Sequence, residues 1–139
     1  MSWKSRHPKP KAAVPTGRRK PLRHQESDLQ AACVRWFRLQ PAYRHCLLMS
    51  IPNGTHLAGS SKERAIQMNV LKREGLLVGA ADLLLVAPEG VAFLECKTAQ
   101  GKQRETQVEF QEHVEALGWP YHVFRSLEDF IQITKSLLH

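Results

Sequence analysis

Apolar residues begin to recur at helical spacing after the first two dozen positions, with Leu29, Ala32, Cys33, Trp36 and Phe37 on one face. Ser27 and Gln30 have capping-box spacing, so the pattern predicts a first helix that starts at Ser27 and ends near Leu39, before Pro41. The short apolar run over 46–51 is stopped by Pro52, Asn53 and Gly54, which reads as a strand and a turn. Residues 60–74 place Ala65, Met68 and Leu71 on one side of a second helix, which Gly75 terminates. Two further runs, 83–87 and 91–96, are apolar at nearly every position and are separated by Pro88, Glu89 and Gly90. This predicts a hairpin whose faces are both covered. A third helix is expected from Thr106, with Glu109 completing a capping box, to Leu117 and Gly118. A strand at 121–124 precedes a last helix that Ser126 caps and that carries Leu127, Phe130, Ile131, Ile133, Thr134 and Leu137. This order of elements makes an α/β sandwich with a mixed sheet.

Composition leaves that picture intact. With 42% hydrophobic and 24% charged residues, a chain of 139 positions suits one globular domain with one core. The formal net charge of +7 suggests nucleic acid until its distribution is read. Residues 1–25 hold eight Lys and Arg and no Asp or Glu, leaving 12 basic against 13 acidic residues over 26–139. The surplus belongs to a basic, Pro-containing tail, expected to be flexible, ahead of a folded domain over 26–139. Such an arm can bind phosphates through counterion release, and it can equally be a solvated leader. Pro8, Pro10, Pro15 and Pro21 argue against an amphipathic targeting helix there.

Cys33, Cys46 and Cys96 are odd in number and lack CxxC spacing, so neither a disulfide framework nor a zinc site is suggested. No run approaches the roughly 20 apolar residues of a membrane span, and no apolar stretch behind the basic N-terminus makes a secretory signal. A cytoplasmic protein with no membrane partner is expected.

Three ionisable residues interrupt the apolar hairpin: Asp82 at the start of one strand, Glu95 and Lys97 at the end of the other. Glu95 and Lys97 are two apart and project from one face of the sheet. If Ala87 lies opposite Gly90, Asp82 lies across from Glu95 and the two carboxylates meet at the open end. A three-residue loop with a Gly bulge would instead pair Ala87 with Val91 and turn the two side chains to opposite faces. Adjacent carboxylates repel unless a divalent cation neutralises both, and hard oxygen ligands select Mg²⁺ or Mn²⁺. A neighbouring Lys can hold an attacking water or stabilise phosphoryl charge, so the trio suits phosphodiester hydrolysis. By spacing alone it also suits a salt bridge at a sheet end.

A wider set of positions weighs between these readings. Gly79, Asp82, Glu95 and Lys97, read as G-x-x-D followed by E-C-K, resemble the core of the PD-(D/E)XK nucleases. Glu26 with Gln30, the Pro52-Asn53-Gly54 run, Gly75 with Leu76, Gly101 with Gln107, and Gly118 with Tyr121 and Val123 narrow the resemblance to the VRR-NUC family. The likeness runs from Glu26 to about Phe130. It implies a restriction-endonuclease-like αβ sandwich, with a central mixed sheet flanked by helices.

The resemblance also implies roles. Glu26, Asp82 and Glu95 would ligate Mg²⁺ or Mn²⁺ with the Cys96 backbone carbonyl, Lys97 would activate water, and Gln107 would support Lys97 or the phosphate. Short stand-alone members resemble homodimeric endonucleases acting on branched DNA such as four-way junctions, often in phages or bacteria, so a bacterial or phage-infected cell is the expected setting.

The chain departs from the family pattern in places. Ala81 stands where Pro often precedes the Asp, and Arg104 and Glu105 replace Ser-Pro before Gln107. Ser27 as a cap would leave Glu26 just outside its helix. Asn53, Lys62, Arg64, Lys72 and Arg73 are candidate substrate contacts, the four basic residues equally a solvated helix face, and His56 lies near Asn53. Trp36, Trp119 and Phe110 are expected in the core, with Cys33 and Cys46 as core thiols. The alternative from a different class is a non-catalytic nucleic-acid-binding module that keeps a nuclease-like fold.

Overall fold

A computed structural model describes residues 21–53 and 57–138. Most of the basic tail, together with Gly54, Thr55 and His56, lies outside the described residues. Helix α1 spans Leu22–Arg38 and a 3₁₀ turn Pro41–Tyr43 follows it. Strand β1 is Leu47–Ser50, α2 is Ser61–Arg73, β2 is Leu83–Ala87 and β3 is Gly90–Cys96. Helix α3 is Glu105–Ala116, β4 is Tyr121–Phe124 and α4 is Leu127–Leu137. Every expected element is present, in the expected order.

Two helix starts differ from their prediction. Helix α1 begins not at Ser27 but after Pro21, whose extended backbone (φ −51°, ψ 144°) leads into the first turn. Residues 22–25, grouped with the tail by charge, are that first turn, and Glu26 lies inside the helix. Helix α3 is capped at Arg104, not Thr106, and Gln107 is its third residue. By contrast, Ser126 caps α4 as expected, accepting from Asp129 N–H at 3.0 Å, and Ser60 caps α2, accepting from Glu63 N–H at 3.2 Å.

The sheet has the order β1-β2-β3-β4, antiparallel for the first two pairs and parallel between β3 and β4. Ala87 lies opposite Gly90 and Leu83 opposite Leu94. The two-residue turn is therefore correct and the bulged register is not. Alternation then sends Leu83, Leu85, Ala92, Leu94 and Cys96 to one face, where they pack with Cys33 and Phe37 of α1 and Phe130 of α4. Phe124 meets Phe130 edge-on there, ring centroids 5.1 Å apart. Each such fully buried side chain contributes about 1.5–3 kcal/mol.

The opposite face packs Phe93, Tyr121 and Val123 under Phe110 and Val114 of α3, with Ala81 joining them. Cover is partial over β3 and β4, where Phe93 and Val123 stay half-buried, and gives out at the β1 edge, where Leu47 and Met49 are exposed. Helix α2 has no buried residue, and Ile66 and Val70 lie exposed on it. Trp36 and Phe110 join the core as expected. Trp119 does not: it sits exposed over Gly90 at the hairpin turn. Among the described residues no helix is long and apolar enough to cross a membrane.

Candidate active site

The hairpin register brings the chemistry together. Asp82 directly precedes β2, and its carbonyl accepts from Ile51 N–H at 2.8 Å, tying it to the end of β1. Its carboxylate reaches across the hairpin, Oδ2 accepting from Cys96 N–H at 2.8 Å. Glu95 projects from β3 on the α3 face and is 1% exposed. Lys97, also buried, places Nζ 3.4 Å from Glu95 Oε1. Lys97 N–H donates to Phe124 O at 3.0 Å, so the last residue of the trio is held by β4.

Gln107 completes this arrangement from the first turn of α3. Its Nε2 donates to Glu95 Oε1 at 2.7 Å, while its Oε1 accepts from Arg104 N–H at 2.8 Å. The amide thus satisfies a helix-start donor with one end and fixes Glu95 with the other. The support given by Gln107 goes to Glu95 rather than to Lys97 or an open phosphate site.

Burial and mutual repulsion shape the electrostatics. Burial, then the charge of Asp82, push the Glu95 carboxyl up to about 8, with Lys97 opposing. Burial also raises Asp82, against the lowering effects of the Cys96 amide and Lys97. The two carboxyls thus act on each other directly, the charge of Asp82 opposing that of Glu95. Glu95 Oε2 is buried with no hydrogen-bond partner. A buried carboxyl oxygen without a donor, beside a second carboxyl, favours a proton or a cation at this point.

Glu26 approaches from α1. Its backbone carbonyl accepts from Cys96 Sγ at 3.4 Å, and its side chain lies beside Gly101. A Cβ on Gly101 would come within 2.9 Å of Thr98 Oγ1 and 3.5 Å of Glu26 Oε1, so glycine there lets the loop close on α1. Among the described residues, no three His, Cys, Asp or Glu side chains converge as a metal-binding group, so Glu26 stands beside the Asp82–Glu95 pair rather than within it. The pair itself fits a divalent cation: hard oxygen donors, an orphaned buried oxygen, and charges that a proton or cation must offset.

Asn53 follows Ile51 at this same end of the sheet, exposed. Lys62, Arg64, Lys72 and Arg73 are exposed on α2, and among the described residues none bonds to the site. Two residues near the trio escaped the sequence reading. Thr98 is buried with its hydroxyl unpartnered. Arg125 Nη1 donates to Thr98 O at 2.7 Å and to Gly101 O at 2.6 Å. A threonine after a strand and an exposed arginine before a helix carry no pattern that marks them.

This geometry can be set beside known structures. A solved structure described as a VRR_NUC domain protein superimposes with a TM-score of 0.64, at 16% sequence identity, over 81% of this chain and 87% of that one. The chain has a VRR-NUC-like fold. No family model matches it, and no curated protein matches it in sequence. The mixed sheet flanked by helices is thus the architecture that the E-C-K resemblance implies.

Proposed function

We propose that this protein is a divalent-metal-dependent endonuclease that hydrolyses phosphodiester bonds of DNA, selective for branched substrates such as four-way junctions. The observation that carries the reading is the meeting of Asp82 and Glu95 at the end of the hairpin, with Glu95 Oε2 buried and unpartnered and Lys97 alongside. Asp82 and Glu95 would hold Mg²⁺ or Mn²⁺, with the Cys96 carbonyl as a further oxygen donor and Glu26, which stands beside the pair, turning its side chain inward to complete the set. When bound, such an ion neutralises both carboxylates and polarises a phosphoryl oxygen.

The chain's own groups do the rest. Lys97, kept in place by Glu95 and by β4, donates hydrogen bonds to the attacking water and offsets negative charge gathering on the phosphoryl oxygens. Gln107 holds Glu95 in one rotamer. Hydrolysis forms a P–O bond to the water oxygen and breaks the ester P–O bond. The proton lost by water ends on the leaving alcohol.

DNA backbone contacts fall to Asn53 at the active end and to Lys62, Arg64, Lys72 and Arg73 on α2, with the basic tail as a further arm. The reading includes a homodimer, supported by the uncovered Leu47 and Met49 on β1 and Ile66 and Val70 on α2.

The test incubates the full chain with labelled four-way-junction, flap, linear duplex and single-stranded DNA, in Mg²⁺, Mn²⁺ or EDTA. Metal-dependent cleavage of the branched substrates, abolished by Lys97→Ala, is expected. Tight binding without cleavage in any metal would overturn the reading in favour of a non-catalytic binding module.

A further inference from the structure

Arg125 is an exposed arginine with an unusual set of partners. It follows β4 directly, and among the described residues no acidic side chain pairs with its guanidinium. Both bonds leave from one nitrogen: Nη1 donates to Thr98 O at 2.7 Å and Gly101 O at 2.6 Å, using its two hydrogens on the loop that follows Lys97. These are short, charge-assisted bonds. The loop closes on itself as well, Gly101 N–H donating to Thr98 O at 3.1 Å.

The arginine backbone is anchored in turn. Arg125 N–H donates to Asp129 Oδ2 at 3.0 Å, and Asp129 N–H donates to the Ser126 cap at 3.0 Å, so the start of α4 fixes the residue before the helix. One residue earlier, Phe124 O accepts from Lys97 N–H. The end of β4 therefore holds Lys97 through its backbone and the following turn through the Arg125 side chain. That turn carries Gly101 against Glu26 on one side and leads to Arg104 and Gln107 on the other.

We infer that Arg125 is a positioning residue for the proposed hydrolysis: it clamps the 98–101 turn, so that Lys97, Glu26 and Gln107 are held around one rim. The inference rests on the nuclease reading, and it concerns the turn rather than any contact with DNA. A phosphate-gripping arginine would use the fork of its guanidinium, which Lys does not replace. A clamp made from one nitrogen is within reach of a Lys ammonium, which also donates several bonds from a single atom.

The experiment compares wild type, Arg125→Met and Arg125→Lys in the full chain, with circular dichroism to confirm folding, steady-state cleavage of a four-way junction, and amide hydrogen exchange. Arg125→Met is expected to speed exchange over 98–103 and to lower kcat about tenfold or more with KM nearly unchanged, as displaced catalytic groups do. Arg125→Lys is expected to restore both. Unchanged exchange in Arg125→Met, or a raised KM with a shallower salt dependence and unchanged kcat, would overturn the inference. A wild type that cleaves nothing would overturn the nuclease reading alone, and exchange over 98–103 would then decide whether Arg125 holds the turn.

Discussion

Gln107 and Glu95 are joined by a 2.7 Å hydrogen bond in which the same amide is held by the Arg104 N–H at the start of α3. The bond needs a side chain that donates at one end and accepts at the other. Glutamate at 107 can still accept from Arg104, but it sets a third carboxyl against Glu95. Gln107→Glu should therefore lower kcat about 10- to 100-fold, more than Gln107→Ala, which removes the support without adding charge. Parallel cleavage assays on the two variants check the order; the reverse order would mean that Gln107 serves only the helix start.

The raised Glu95 carboxyl has a consequence for the metal-free protein. Its ordinary value is 4.5, and in the fold it lies at about 8. Between those values the folded chain holds a proton that the unfolded chain releases, so the group's contribution to stability is complete below pH 4.5 and is lost as pH rises towards 8. A divalent cation should replace that proton. The rise in Tm on adding Mn²⁺ should thus be larger at about pH 8 than at about pH 5, and should vanish in Asp82→Asn. Thermal melts with and without metal at the two pH values measure it. A gain independent of pH, or one retained in the variant, would remove this pair as the metal's ligands.

The hairpin was legible in the chain but its register was not: Pro88, Glu89 and Gly90 suit either a two-residue turn or a bulged loop, and only the fold selects the pairing of Ala87 with Gly90 that places Asp82 and Glu95 on one face. Helix starts were less legible than the hairpin. Ser27 with Gln30 and Thr106 with Glu109 have capping-box spacing, yet α1 continues back to Pro21, and α3 is capped at Arg104, which has no side-chain acceptor. There the missing cap is supplied by Gln107 reaching backwards, an arrangement that a search for Ser, Thr, Asp or Asn does not find. Arg125 was illegible for a different reason. Its partners are backbone carbonyls far earlier in the chain, and carbonyls have no sequence signature.

Gly79, three residues before Asp82, has φ +86°, and a Cβ there would collide with the Thr106 carbonyl in the first turn of α3. Gly75 has φ +109° but open space around it. Gly79→Ala must push α3 away and loosen Gln107 from Glu95, whereas Gly75→Ala meets only backbone strain. The expected costs are ~3 kcal/mol or more for the first and ~1 kcal/mol for the second. Denaturant unfolding of both variants checks the difference, and equal costs would show that the close approach to Thr106 does not constrain the fold.

The start of α1 changes where the basic tail can be cut. Residues 1–20 carry seven Lys and Arg and no acid, and their removal leaves Pro21 to lead into the helix. If these residues bind DNA phosphates, deletion should weaken binding and flatten its dependence on salt, by roughly 0.9 in log–log slope for each phosphate no longer neutralised, while kcat at saturating substrate stays near wild type. A cut after Gln25 should behave differently. It removes the first turn of α1, directly before the Glu26 carbonyl that accepts from Cys96 Sγ, and should lower kcat as well as affinity. Filter binding across a salt series, with single-turnover cleavage of the same junction, separates the two effects. Unchanged salt slope after the shorter cut would leave the tail no part in binding; unchanged kcat after the longer one would leave Glu26 free of any dependence on its helix.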